Sequence, residues 1–274
     1  MSITKRGIMM IVAAAIIIIA IAAGIAIGVT MMGDGRSGGS DAADARQQTQ
    51  SDTQTAAFPE FALGGTAITA DEFDQAMKTA KNETISHFSQ TYQVNLNADD
   101  ADWTAKHGSE TPIDYLARQT VSDLRTRHAT YRVGMSIGAV ASDDYPSIVS
   151  RMRNANQTNA DKRANGEVVY GRSEYDIDMY IDYELTALKN AYIDNDGNPG
   201  MALSDKDVQD YYDAHDWTVE GVDGKAPLSD VKANVKVQLR EERYRAIIAK
   251  EVDSISLADV PWAKLRAYAL GQLD

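Results

Sequence analysis

The chain contains no cysteine among its 274 residues. This absence excludes disulfides, thiolate catalysis and thiolate-bound zinc or iron–sulfur sites, as well as a lipoprotein anchor, which needs a cysteine to carry its lipid. Basic residues are also few, since 27 Lys and Arg stand against 40 Asp and Glu and give a net charge of −13. Because binding to phosphate backbones requires a basic footprint, nucleic acid is not expected as a partner.

The common catalytic and metal-binding patterns are missing too. The sequence has no glycine-rich phosphate loop, no Gly-x-Ser-x-Gly elbow and no two-histidine zinc spacing. Residues 194–205 faintly resemble a calcium loop, but Pro199 occupies the position where that loop needs glycine. We therefore predict no catalytic residue, no metal site and no cofactor. The histidines are expected at the surface or at its boundary, and they are His87, His107, His128 and His215.

One long apolar run stands apart from the acidic remainder. None of the 25 residues from Ile8 to Met32 is charged, and Lys5 and Arg6 precede them. A helix of that length measures about 37 Å, enough to cross a bilayer, whereas the apolar part of a cleaved signal peptide usually has about 7–15 residues. The sequence predicts that residues 8–32 form a single-pass anchor in the cytoplasmic membrane, in contact with lipid. Residues 1–7 are expected on the cytoplasmic side and the body on the outer side. The alternative is a cleaved signal peptide.

Small residues recur every fourth position within this run. Ala20, Gly24 and Gly28 would share one face of a helix, where two backbones can approach closely. The pattern predicts a weak homodimer through the membrane helix. The alternative is that glycine and alanine are simply common in such helices.

A polar segment separates the apolar run from the rest. Residues 33–57 contain no aromatic residue and no aliphatic side chain larger than alanine. Such a segment cannot bury enough surface to offset its ordering entropy, so a flexible linker is expected. Residues 58–274 are then the extracytoplasmic domain.

Residues 58–274 carry a succession of helix start signals. The first is a capping box at Thr69–Glu72, followed by helical spacing of apolar residues to Tyr92. Short strands are expected at residues 167–171 and 255–257. The body is therefore predicted to be mainly α, with a few very short strands. Further helices are expected to begin at Thr111, Ser142 or Asp143, the capping motif Ser173–Asp176, the capping motif Ser204–Asp207, Pro227 and Pro261.

The order of these elements resembles the SurA/PrsA-like extracytoplasmic chaperone–foldases. The likeness is to their SurA N-terminal-like chaperone domain, which is all-helical, and it implies that the transmembrane helix precedes such a domain here. Five segments carry it: Gly64-Gly-Thr-Ala-Ile-Thr-Ala-Asp-Glu-Phe73, Gly108-Ser-Glu-Thr-Pro-Ile-Asp-Tyr-Leu116, residues 151–171, Leu203-Ser-Asp-Lys-Asp-Val-Gln-Asp-Tyr-Tyr212, and residues 228–250.

The chain departs from that family where the catalytic module would be. The family inserts a parvulin prolyl isomerase of roughly a hundred residues before its closing helix, but only the 12 residues Asp216 to Pro227 are present here. The resemblance therefore implies a membrane-anchored chaperone that binds unfolded or secreted polypeptides without isomerase catalysis. Two alternatives stay open. One is a structural or adaptor subunit for one fixed envelope or membrane partner, and the other is an active isomerase with an unrecognised site.

Large apolar side chains of the first two helices are the candidates for polypeptide contact. Aromatic and methionine side chains offer adaptable apolar surface. The same side chains would also suit the core of the domain. The candidates are Phe73, Met77, Phe88, Tyr115 and Tyr131.

Overall fold

The described part of the protein is mainly helical. A computed structural model describes residues 56–219 and 224–273. Within these residues lie seven helices and one two-stranded hairpin. In chain order they are β1 (Ala62–Leu63), β2 (Thr66–Ala67), α1 (Ala70–Tyr92), α2 (Pro112–Ser136), α3 (Tyr145–Ala164), α4 (Ile177–Ile193), α5 (Asp205–Ala214), α6 (Leu228–Ser254) and α7 (Trp262–Gly271).

Each helix begins at its predicted start signal or within a few residues of it. The caps of α3 and α4 are Asp144 and Asp176, slightly later than the predicted Ser142 or Asp143 and Ser173. Thr69 Oγ1 accepts a hydrogen bond from the N–H of Glu72, and Thr111 caps α2 in the same way with proline next. Ser204 and Asp207 form a reciprocal capping box at α5. Each cap satisfies backbone N–H groups that have no partner within the helix. The helix positions are therefore confirmed.

The strands are not where they were expected. Residues 167–171 and 255–257 are not strands, so those two predictions are wrong. The hairpin instead pairs Ala62 with Ala67 and Leu63 with Thr66 across a turn of Gly64 and Gly65. Both glycines have positive φ, as a two-residue hairpin turn between twisted strands requires. The two predicted segments fail as strands because neither has a partner strand within the described residues.

Helix α2 is the centre of the packing. It contacts α1, α4, α6, α7 and β1. Its first half joins α1 and α7 in the largest apolar cluster, where Phe73, Phe88 and Leu116 are completely buried. Phe58 packs against this cluster, and its ring centroid lies 5.5 Å from that of Phe73. A smaller cluster surrounds Tyr131 and joins α2 to α3 and α4.

The membrane part of the predicted fold class requires correction. In residues 56–219 and 224–273, every helix is too short or too polar to cross a bilayer. The two longest, α2 and α6, carry charged side chains in most of their turns. This finding contradicts the predicted transmembrane helix and single-pass location. The predicted span itself, residues 8–32 with Ala20, Gly24 and Gly28, lies outside the described residues, as do residues 33–55 of the linker. The domain bounds stay predictions.

Candidate functional site

Helix α3 and the segment that follows it bury little of their surface. Only Tyr145 and Ile148 are buried among the 20 residues of α3. We call residues 145–183 the arm, which comprises α3, the connecting segment 165–176 and the first two turns of α4. Because the arm leaves most of its side chains in solvent, it is the part of the described chain best placed to meet another molecule.

A buried charge network holds the base of the arm. The Arg151 guanidinium pairs with the Glu184 carboxylate through two hydrogen bonds of 2.7 and 2.8 Å. The same carboxylate accepts hydrogen bonds from the hydroxyls of Tyr131, at 2.7 Å, and Tyr180, at 3.0 Å. Burial, aided by the negative charge of Glu184, raises the pKa of both phenols. They stay protonated and donate, so α2, α3 and α4 are fixed at one point.

A second network fixes Asp143, which directly precedes Asp144, the N-cap residue of α3. His128 is completely buried, with Nδ1 3.0 Å from Asp143 and Nε2 3.2 Å from Glu72. Thr66 donates a further hydrogen bond to Asp143 at 2.8 Å. Burial opposes the charged imidazolium, but the two carboxylates outweigh it and raise the pKa of His128 to about 9. The expected surface position of this histidine is wrong, because it pairs with both acids inside the core.

Side chains of α3 hold the returning segment in place. Asn156 donates to the carbonyl of Tyr175 and accepts from its N–H, both at 2.8 Å. Asn159 donates to the carbonyl of Arg172, and Arg163 donates to that of Ser173. These contacts fix residues 172–175 against α3.

The tip of the arm, residues 167–171, presents apolar side chains to solvent. Val168 is 68% exposed and Tyr170 is 79% exposed. Among the described residues, the backbone of residues 168–171 makes no hydrogen bond to another backbone group. The nearest such bond before this segment joins the N–H of Glu167 to the carbonyl of Lys162. Eight large apolar side chains are exposed in the described residues, and half of them lie on the arm: Val168, Tyr170, Met179 and Tyr183.

Charge is divided within the arm. Residues 145–172 contain five basic and two acidic side chains, a net of +3, whereas residues 173–183 contain four acidic side chains and no basic one, so that the whole arm has a net charge of −1. The first 28 residues of the arm therefore combine exposed apolar groups, unpaired backbone and local positive charge. This combination suits an extended polypeptide that carries apolar and acidic residues.

The predicted polypeptide-binding side chains lie elsewhere. Phe73, Met77, Phe88 and Tyr131 are buried in the core. Tyr115 is half-buried and stacks on His87 with ring centroids 4.2 Å apart. Contact of these five with polypeptide stays a prediction. Sequence reasoning missed the tip as a surface, although the apolar triplet Val168–Tyr170 between two glycines is a visible signal.

The described residues do not assemble a metal centre. No group of three or more His, Asp or Glu in the described ranges is arranged to hold a metal ion. The arrangement found on the arm is suited to binding.

Comparison with known proteins identifies the family. No family model matches the chain, and no solved structure matches it. A protein of Bifidobacterium longum subsp. longum named "Chaperone for lacto-N-biosidase" is 44% identical over 216 residues, which cover 79% of this chain and 76% of the relative. The chain belongs to the family of that chaperone. A chaperone role in general, with a client protein as partner, is therefore supported, whereas these comparisons give no evidence for the SurA/PrsA-like family.

Proposed function

We propose that this protein is a dedicated folding chaperone that binds an incompletely folded client enzyme through the arm. The exposed Val168–Tyr170 tip is the observation that carries this proposal. A folding chain exposes apolar segments that its native state buries, and an apolar tip on a well-anchored helix can cover such a segment until the client folds. No covalent step and no prolyl isomerisation are part of this role.

The client is proposed from the relative. That protein is named as a chaperone for lacto-N-biosidase, and it shares 44% identity with this chain. We therefore propose that the client here is an enzyme similar to lacto-N-biosidase. A single client also agrees with part of the adaptor alternative, in which the protein binds one fixed partner. The two roles differ in whether the complex outlasts folding.

The tip alone does not provide enough binding energy. Burying a valine or tyrosine side chain contributes about 1.5–3 kcal/mol, whereas association costs an estimated 4–15 kcal/mol. The contact must therefore extend to the neighbouring side chains of the arm. Met179 and Tyr183 provide more apolar surface, and Arg153 and Arg172 provide charge. Such a composite contact gives moderate affinity and permits release once the client buries its own segment.

Refolding of the client tests the proposal. Denatured lacto-N-biosidase is diluted into buffer with the purified full chain, and recovered activity and light scattering are followed. The variant Val168→Asp/Tyr170→Asp should raise the protein concentration needed for half-maximal recovery at least fivefold. Val237→Asp is the matched control, because Val237 is 52% exposed on α6. It should leave that concentration within twofold of the wild type.

The outcomes separate the roles. Equal recovery with the tip variant and the wild type, at equal melting temperature, would contradict the arm as the client surface. Recovery of several unrelated enzymes would replace the dedicated role with a general one. A complex that stays bound to the fully folded enzyme would favour the adaptor role.

A further inference from the structure

A groove lies between the N-terminal half of α2 and α7. Its volume is about 490 Å³. Ala117, Leu257 and Trp262 provide its apolar surface, and Trp262 is half-buried there. The base of the arm contacts α2 at Tyr131, further along the helix, so the groove uses a different part of α2.

Three arginines line the same groove. They are Arg118, Arg125 and Arg266, and Asp114 is the one acidic residue among the lining side chains. The groove therefore has a net charge of +2 in a chain whose net charge is −13. An acidic ligand would be repelled by most of this protein and attracted at this place.

Two of the arginines are already positioned by the fold. Arg125 Nε donates to the carbonyl of Ile255 at 2.9 Å, and Arg266 Nη1 donates to Asp114 at 2.6 Å. A guanidinium has five N–H donors, so each of these groups keeps further donors after that contact. Arg118 is exposed and makes no side-chain hydrogen bond or ion pair with the described residues. Arg125 and Arg266 therefore provide positioned donors for carboxylates, and Arg118 adds an exposed guanidinium beside them.

We propose that this groove binds an extended acidic segment of another polypeptide. Its carboxylates pair with the arginines, and a bulky apolar side chain packs on Leu257 and Trp262. The lining residues of α2 span Asp114 to Arg125, about 16 Å along the helix, which equals about five residues of extended chain. The proposal goes beyond the arm and does not depend on it, because no residue of the arm lines the groove.

Direct binding of a defined peptide tests this proposal. The probe is a fluorescein-labelled peptide of alternating glutamate with leucine and phenylalanine, seven residues long, titrated with the full chain by fluorescence anisotropy. Its counterpart replaces each glutamate with lysine. The acidic peptide should bind at least tenfold more tightly than the lysine peptide, and its affinity should fall as salt is added.

Two variants localise the binding. Arg118→Glu should weaken binding of the acidic peptide at least fivefold. Arg245→Glu, a matched change at an exposed arginine of α6, should weaken it less than twofold. Because Trp103 and Trp217 are buried, an unlabelled peptide should change the fluorescence of Trp262. Trp262→Phe should remove that change.

Three results would overturn the proposal. They are equal affinity for the two peptides, an Arg118→Glu variant that binds as the wild type does, and full displacement of the peptide by inorganic phosphate at the same concentration. The last would show a simple anion site with no contribution from the apolar surface. Normal client refolding by Arg118→Glu would leave the arm proposal intact, so failures of the two proposals are distinguishable.

Discussion

Helices α2 and α3 begin in nearly the same way and end in opposite environments. Each has a side-chain cap and a proline in its first turn. However, α2 buries 13 of its 25 residues and α3 buries two of its 20. Capping thus determines where a helix starts, whereas the side chains along it determine whether it joins the core. A helix that keeps its surface in solvent is available to a partner, and here that helix carries the exposed tip.

We assign stability to the α2 side, and the proposed client binding belongs to the α3 side. We therefore expect that substitutions in the core change the free energy of unfolding, while substitutions at the tip change client recovery alone.

Truncation in the core should have the largest effect. Phe88 is completely buried between α1 and α2. Phe88→Ala removes a large apolar side chain and should lower the free energy of unfolding by about 3–5 kcal/mol. Tyr170→Ala, on the exposed tip, should change it by less than about 0.5 kcal/mol. Urea denaturation followed by circular dichroism measures both. Equal losses would mean that the tip is also packed.

Removing the charge at the arm base should come next. Glu184→Gln leaves the Arg151 guanidinium without its carboxylate in a mostly buried place. We expect a loss of about 2–3 kcal/mol. The control is Glu241→Gln, which breaks the more exposed pair of Glu241 with Lys189 and should cost about 0–1 kcal/mol. A loss for Glu184→Gln no larger than that of the control would show that the base network does not hold the arm.

The buried histidine should make stability depend on pH. The folded pKa of His128 is about 9, above its usual 6.5, so the folded protein holds this proton more tightly than the unfolded chain does. The stabilisation is therefore complete below pH 6.5 and is lost as the pH rises through 9, with a size of about 3 kcal/mol at most. Denaturation midpoints between pH 6 and 9.5 measure it. His128→Gln should flatten this dependence, and an unchanged slope in that variant would contradict the assignment.

Loosening the returning segment should have the smallest and most local effect. Asn156→Ala removes two hydrogen bonds to the backbone of Tyr175 and should cost about 1–2 kcal/mol locally. Amide hydrogen exchange should speed up in residues 168–176 and stay unchanged in α2. Faster exchange throughout the chain would mean that the arm is not a separate region.

The sequence was informative where the physical cause was local. Caps and apolar spacing act over a few residues, so the position of every described helix could be predicted. The networks of Glu184 and His128 could not be predicted, because their members are far apart in the sequence. Arg151 lies 33 residues from Glu184, and Glu72 lies on α1 whereas His128 lies on α2. The hairpin was missed since its signal is only the pair Gly64–Gly65. The tip was misread as a strand because Val and Tyr favour strands, and a strand also needs a neighbour.

Site-specific crosslinking tests directly whether the tip contacts the folding client. A photo-crosslinking amino acid is placed at Tyr170 on the tip and, in a second sample, at Val237 on α6, and each full chain is mixed with refolding lacto-N-biosidase, the proposed client. We expect a crosslink from position 170 that appears with the unfolded client and fades as enzyme activity returns, with little product from position 237. Equal crosslinking from both positions, or none from position 170 while refolding is still assisted, would contradict this contact.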